Sequence, residues 1–179
     1  MSALAKHLAG DLDVVLQCRV TSVAPDGEGW QLMDEDGKAL GKFAILLLNA
    51  PAPQSLELVN EFPNFAGQIC TVEIAPCWAL MLAFEQRLNV LWDAAFVEDS
   101  PLSWIARNSS KPGRPEMPDC WVLHANPEWS AKHLEESRES VTAELITSFW
   151  NALGVPTQRP TVVSAHRWRF ALPTNPLEK

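Results

Sequence analysis

Phe43-Ala-Ile-Leu-Leu-Leu48 runs directly into Asn49-Ala-Pro-Ala-Pro53, an apolar hexapeptide halted by a double proline break. Six apolar residues without polar alternation read as a strand covered on both faces, since a half-exposed strand would alternate. The prolines end it because each lacks the amide proton that a sheet ladder needs. Working upstream, Val14 to Val23 reads as a strand, Pro25-Asp-Gly-Glu-Gly29 as a turn, Trp30 to Met33 as the returning strand and Asp36-Gly37 as a second turn signal. The sum is a three-stranded meander that needs more cover than its neighbours supply. A short helix precedes it over Ser2 to Gly10, with Leu4 and Leu8 on one face and Gly10 suited to a left-handed stop. A second short helix at Ser55 to Val59 leads into a loop around Pro63 and Gly67, which places a lobe boundary near residue 60.

Downstream, Cys70 to Phe84 and Leu88 to Val97 read as two long strands of a hairpin, the first disturbed at Ala75-Pro76, where proline favours an edge or a bulge. Ser103 to Ala106 reads as a helical turn, Asn108 to Gly113 as loop and Trp121 to His124 as a strand. Asn126-Pro127 offers a cap followed by proline at the first helical position, predicting a helix through Trp129 to Glu136. The clearest element is the helix that ends at Gly154, because Val141, Leu145, Ile146, Phe149, Trp150 and Leu153 fall on one face. Thr161 to Ala171 reads as a last strand.

The 179 residues carry a net charge of -8 with only 14 lysines and arginines, spread along the chain. Such a balance disfavours nucleic acid, whose phosphates demand clustered cations. No apolar stretch approaches the roughly 20 residues that cross a bilayer, so a cytoplasmic protein is expected. Cys18, Cys70, Cys77 and Cys120 form no C-x-x-C pair and read as buried, reduced thiols. Eight tryptophans and no tyrosine put large flat apolar surfaces in the fold, most of them core.

No nucleophile turn, metal-ligating helix or phosphate-binding loop is present, and Gly27-Glu-Gly29 sits in a hairpin turn, a false start for a dinucleotide fingerprint. His124 and His133 read as surface or rim histidines. Two segments stand out. Trp104 to Arg114 gathers Arg107, Lys111 and Arg114 beside Asn108 to Ser110, which suits either an anion grip or a solvated loop balancing nearby carboxylates. Ser164 to Phe170 alternates as a strand, with His166, Trp168 and Phe170 on one face and Arg167 and Arg169 on the other. The first face suits a planar ring or a core, and the second an anion or solvent.

Taken in order, Ser2-Ala-Leu-Ala-Lys-His-Leu8, Phe43 through Pro53, Pro76-Cys-Trp-Ala79, Trp104 through Gly113 and His166-Arg-Trp-Arg169 resemble the middle of renalase-like FAD/NAD(P)-dependent oxidoreductases of the flavin amine oxidase superfamily. The resemblance spans nearly the whole chain. It implies an α+β fold: residues 1–60 as part of a Rossmann-type FAD domain, with the meander as its remnant, and residues 61–179 as a substrate domain of mixed or antiparallel sheet with packed helices. It also implies that the family's opening G-x-G-x-x-G segment and its closing flavin segment are missing, so that the chain alone is inactive. On this reading Val20, Ala50 and Pro51 lie on the FAD side. Trp104, Asn108, His166 and Trp168 face the substrate, with Arg107 and Arg169 as anion or structural partners. The activity implied is oxidation of a dihydronicotinamide or an amine, with electrons passed to oxygen; a homodimer is a further expectation. The competing expectation is a non-enzymatic small-ligand or nucleotide-binding module, which needs Phe43 to Leu48 covered by the chain's own elements.

Overall fold

The computed structural model describes residues 2–175. Two compact units divide between Thr71 and Val72. The division falls later than residue 60 because the segment expected as loop folds as helix α3 (Pro63–Ile69) of the first unit. Proline at its first position sets φ for a helix and forfeits only an amide that would have had no partner.

The first unit opens with α1 (Ser2–Ala9), stopped at Gly10 with φ +35°. Its meander is antiparallel: β1 (Val20–Asp26), β2 (Gly29–Asp34) and β3 (Ala39–Phe43) lie in sequence order. Gly29 is demanded by packing, because a Cβ there would stand 2.6 Å from the Phe43 carbonyl oxygen. Helix α2 (Ala52–Val59) follows the proline break, with Pro51 as its N-cap.

Two expectations fail here. The first strand begins at Val20 rather than Val14, and residues 14–19 lie outside the sheet. The third strand is Ala39–Phe43, and the apolar run beyond it is extended but unpaired. Far from being covered on both faces, the run alternates: Leu46 and Leu48 line an apolar cavity with Val23, Trp30, Val59 and Phe62, while Ile45 and Leu47 are 78% and 87% exposed. An extended backbone sends successive side chains to opposite sides, so one layer of cover reaches only every second residue.

The second unit is a five-stranded antiparallel sheet in the order β5-β6-β7-β4-β8. Its strands are β4 (Ile74–Phe84), β5 (Ala94–Phe96), β6 (Leu102–Arg107), β7 (Asp119–Ala125) and β8 (Val162–Pro173). The expected hairpin of 70–84 with 88–97 does not form: β4 pairs with β7 and β8, and the second segment contributes only the short edge strand β5. The helical turn expected at Ser103 is strand β6, whose Ile105 is fully buried in the core. Pro76 sits at a register shift between β4 and β8, where its missing amide proton interrupts the ladder least.

Helices cover one side of this sheet. Asn126 caps α4 (Pro127–Lys132) by accepting the Trp129 amide at 2.7 Å. Helix α5 (Arg138–Leu153) begins at Ser137 and ends at Gly154, φ +63°. It buries Val141, Leu145, Phe149 and Leu153 against Trp78, Leu80, Leu82, Phe84, Trp121 and Leu123. Phe149 and Phe84 stack with ring centroids 6.2 Å apart. The thiols depart from expectation: Cys18 and Cys70 are exposed, Cys77 and Cys120 half-buried, and all four free. Among the described residues no helix is long and apolar enough to cross a membrane, and no group of acidic, histidine or cysteine side chains is placed to hold a metal ion.

Candidate functional site

Strand β7 states the division of the second unit in its alternation. Asp119, Trp121, Leu123 and Ala125 are buried towards the helices, while Cys120, Val122 and His124 on the other side are half-buried. Registers carry that second side across the sheet. Phe96 stands opposite Trp104, Trp104 opposite His124, His124 opposite Ala79 and Ala79 opposite His166. Directly opposed residues put their side chains on the same face, so the five form one cross-strand row. Cys77 opposite Trp168 extends the face beside it.

Trp104 reaches this face through a bulge. Leu102 pairs with Ala125 on the helix side, and the register then shifts so that Trp104 meets His124. Without the extra residue, Leu102 and Trp104 would point the same way; Ser103 absorbs the change of phase, its hydroxyl donating to the His124 carbonyl at 3.3 Å. The result is two pairs of flat side chains on one face, with Ala79 between them. Trp104 and His124 have centroids 5.1 Å apart, and His166 meets Trp168 edge-on at 4.4 Å. Trp168 is 46% exposed, an unusual state for so large an apolar ring. Burial, and secondarily the charge of Lys111, hold the His124 imidazole below its ordinary pKa, so it is neutral at physiological pH, with one ring nitrogen a donor and the other an acceptor.

Three of the residues expected to face a substrate, Trp104, His166 and Trp168, thus share this open face. Asn108 follows β6 and begins a single 3-10 turn (Asn108–Ser110). Arg107 points the other way, and of the two roles expected for it, anion or structural partner, its contacts favour the structural one. Its Nε stands 3.1 Å from Asp119 Oδ1 in an ion pair not aligned for a hydrogen bond, its two Nη groups donate to the carbonyls of Leu88 and Val90, and its guanidinium lies over Trp121. Asp119 accepts in turn from the Leu88 amide, Trp121 Nε1 and Ser109 Oγ. Arg169 also has a protein partner, a two-bond grip on Glu135 at 2.6 and 2.9 Å. His124 was missed as a site residue; its signal was the period of two through Cys120, Val122 and His124.

In the first unit, Val20 and Ala50, thirty positions apart, line one cleft of about 490 Å³ with Arg19, Thr21, Gln54, Glu57 and Leu58. Pro51 caps α2 there, and Ser55 Oγ donates to the Ala50 carbonyl at 2.9 Å. No phosphate-binding glycine turn exists among the described residues, since Gly27 and Gly29 form the β1–β2 turn.

No family model matches the chain. Renalase of Mus musculus is 25% identical over 174 residues, which cover 91% of this chain and 50% of the relative. Among solved structures, a protein assigned as a protoporphyrinogen oxidase of Exiguobacterium sp. 255-15 superposes with a TM-score of 0.72 at 17% identity, over 97% of this chain and 40% of that one. Cyclohexylamine oxidase of Brevibacterium oxydans IH-35A gives a TM-score of 0.68 at 11% identity, over 93% and 38%. Putrescine oxidase bound to putrescine gives 0.68 at 15%, over 91% and 37%.

The chain resembles renalase over most of its length, and its fold matches that of solved flavin oxidases.

The chain spans about half the length of the curated relative it matches, and less of each solved structure. Its α+β fold of antiparallel sheets with packed helices is the one that the solved oxidases share.

Proposed function

We propose that the chain supplies the substrate-facing part of an FAD-dependent oxidoreductase. The observation that carries the reading is the open face of the five-stranded sheet, where Trp104, His124, His166 and Trp168 are brought together from three strands. Flat apolar rings beside a neutral imidazole suit a planar substrate ring that must be stacked, oriented and kept from water. A dihydronicotinamide fits that description, and an amine is the broader alternative that the names of the solved oxidases suggest.

Val20 and Ala50, with Pro51 beside them, would hold part of an FAD, which would supply a hydride acceptor and pass the electrons on to oxygen. The chain's own residues bind and orient. Trp104 and Trp168 offer faces for stacking, and His124 and His166 offer hydrogen bonds at the ring's edge. Nothing among these side chains supplies the paired acid and base of a hydrolase, which agrees with chemistry delegated to a cofactor.

The exposure of Ile45 and Leu47 favours this over a self-sufficient binding module, because such a module has no reason to leave an extended apolar segment bare. We infer that further polypeptide covers it and that the chain alone is inactive.

Flavin retention is the test. The chain is mixed with excess FAD and gel-filtered, in parallel with a polypeptide that joins it to a G-x-G-x-x-G dinucleotide-binding segment. A colourless chain and a yellow, reducible fusion are expected, with substrate-dependent bleaching lost on Trp104→Ala or His166→Ala. A fusion that stays colourless while folded overturns the proposal.

A further inference from the structure

A pocket of about 240 Å³ at the β8 edge of the second unit is lined by Trp78, Glu136, Arg138, His166, Arg167 and Arg169. Three guanidinium groups in one pocket are out of keeping with a chain that has 14 lysines and arginines and a net charge of -8. Their partners account for two of them. Arg167 donates to the Leu134 carbonyl at 2.5 Å and to Glu135 Oε2 at 3.2 Å, with its guanidinium 5.6 Å from the Trp78 ring centroid. Arg169 takes both oxygens of the same carboxylate, so Glu135 is saturated. Glu136 is engaged elsewhere: it accepts from Ser140 Oγ at 2.8 Å and lies 3.8 Å from His133 Nε2.

Arg138 is left with no ion pair among the described residues. Arg138 is exposed, so the penalty of its position is small. It is the first residue of the 16-residue helix α5, where the peptide dipoles concentrate positive potential and a cation is disfavoured. Two further guanidiniums across the pocket add repulsion. A cation placed against the helix field, beside like charges and without a counter-ion, makes electrostatic sense when an anion arrives.

We propose that this pocket binds the phosphoryl group of a small anionic ligand, with Arg138 as the principal contact and Arg167 and Arg169 as its support. Guanidinium forks match phosphate oxygens in pairs, and a dianion satisfies several of them at once. Trp78 and Arg167 point to the helix side of the sheet, whereas His166, which also lines the pocket, belongs to the Trp104–His124 row, so the two candidate sites meet at His166 and the test varies Arg138, which has no place in that row.

Calorimetric titration of the full chain with sodium pyrophosphate, at low and fixed ionic strength, tests it. Saturable one-to-one binding is expected. Arg138→Gln weakens it roughly tenfold or more, the size of a lost charge-assisted hydrogen bond. Arg114→Gln, which removes a cation outside the pocket, leaves it unchanged. Glu135→Gln, which releases Arg167 and Arg169 from their carboxylate, tightens it. Variants of opposite sign keep a general loss of folding from mimicking the pattern. The absence of saturable binding, equal losses for Arg138→Gln and Arg114→Gln, or wild-type affinity in Arg138→Gln overturns the site.

Discussion

Replacing Asp119 by asparagine keeps the shape of a fully buried side chain and removes its charge, which isolates what the ion pair with Arg107 contributes. The carboxylate is wholly enclosed, accepts three hydrogen bonds of 2.9 to 3.0 Å and stands 3.1 Å from Arg107 Nε. With the charge gone, the Arg107 guanidinium, itself 1% exposed, retains only two backbone carbonyls and the distant, largely exposed Asp93 at 3.5 Å. Breaking a buried pair by removing one partner costs about 3–5 kcal/mol, because the surviving charge stays desolvated. Measured against a typical domain stability of about 5–15 kcal/mol, that is a large fraction of the whole. Urea denaturation followed by tryptophan emission reads the second unit selectively, since of the eight tryptophans only Trp30 precedes Val72. At roughly 1–2 kcal/mol per M, the midpoint falls by about 1.5–5 M. Arg107→Lys does not restore it, because an ammonium cannot address Asp119, Leu88 and Val90 together. A midpoint within about 0.5 M of wild type for Asp119→Asn, on the same scale, refutes the reasoning and returns Arg107 to the list of ligand-facing groups.

His124 is expected to titrate below 6.5 when followed by NMR, and Lys111→Gln to raise its pKa only part of the way back, since burial is the larger cause. Because the folded pKa is depressed, the neutral imidazole's contribution to stability is complete above 6.5 and is lost as pH falls from there through the folded value; a pKa at or above 6.5 contradicts the packing against Trp104. Ile45→Ser combined with Leu47→Ser reduces self-association on gel filtration without lowering the denaturation midpoint, as both side chains are exposed; unchanged association places the sticky surface elsewhere. Cys77 alkylates more slowly than Cys18 and Cys70 under peptide mapping, because burial raises its thiol pKa while the other two are exposed; equal rates mean that the start of β4 opens freely.

What the sequence revealed depended on whether a local period carried the information. Helix α5 was legible because six apolar residues repeat at helical spacing and Gly154 supplies the left-handed stop. The open face was legible on β8, where strict alternation separates His166 and Trp168 from Arg167 and Arg169. The apolar run at 43–48 was misread because six consecutive apolar residues have no period, and so cannot say which of them finds a partner. Strand pairing is equally silent: residues 70–84 and 88–97 are adjacent in sequence, yet β4 prefers β7 and β8, which bring Trp121, Leu123 and Ala165 to complete the core.

Trp104 and Arg107 show the harder limit, because both belong to one six-residue strand and both are candidate site residues in the sequence, Trp104 facing the substrate and Arg107 as an anion or structural partner. Three positions apart, they sit on opposite faces of a strand, so at most one of them can face a ligand there. Which one is decided by the Ser103 bulge and by Asp119, neither of which announces itself in the segment. Once Asp119 is placed on the helix side beside Trp121, Arg107 must follow it, since a buried carboxylate without a cation is untenable. Trp104 is thereby turned to the open face. The buried ion pair is thus a positioning device for the candidate site as well as a source of stability: it fixes the phase of β6, and with it the direction in which Trp104 presents its ring.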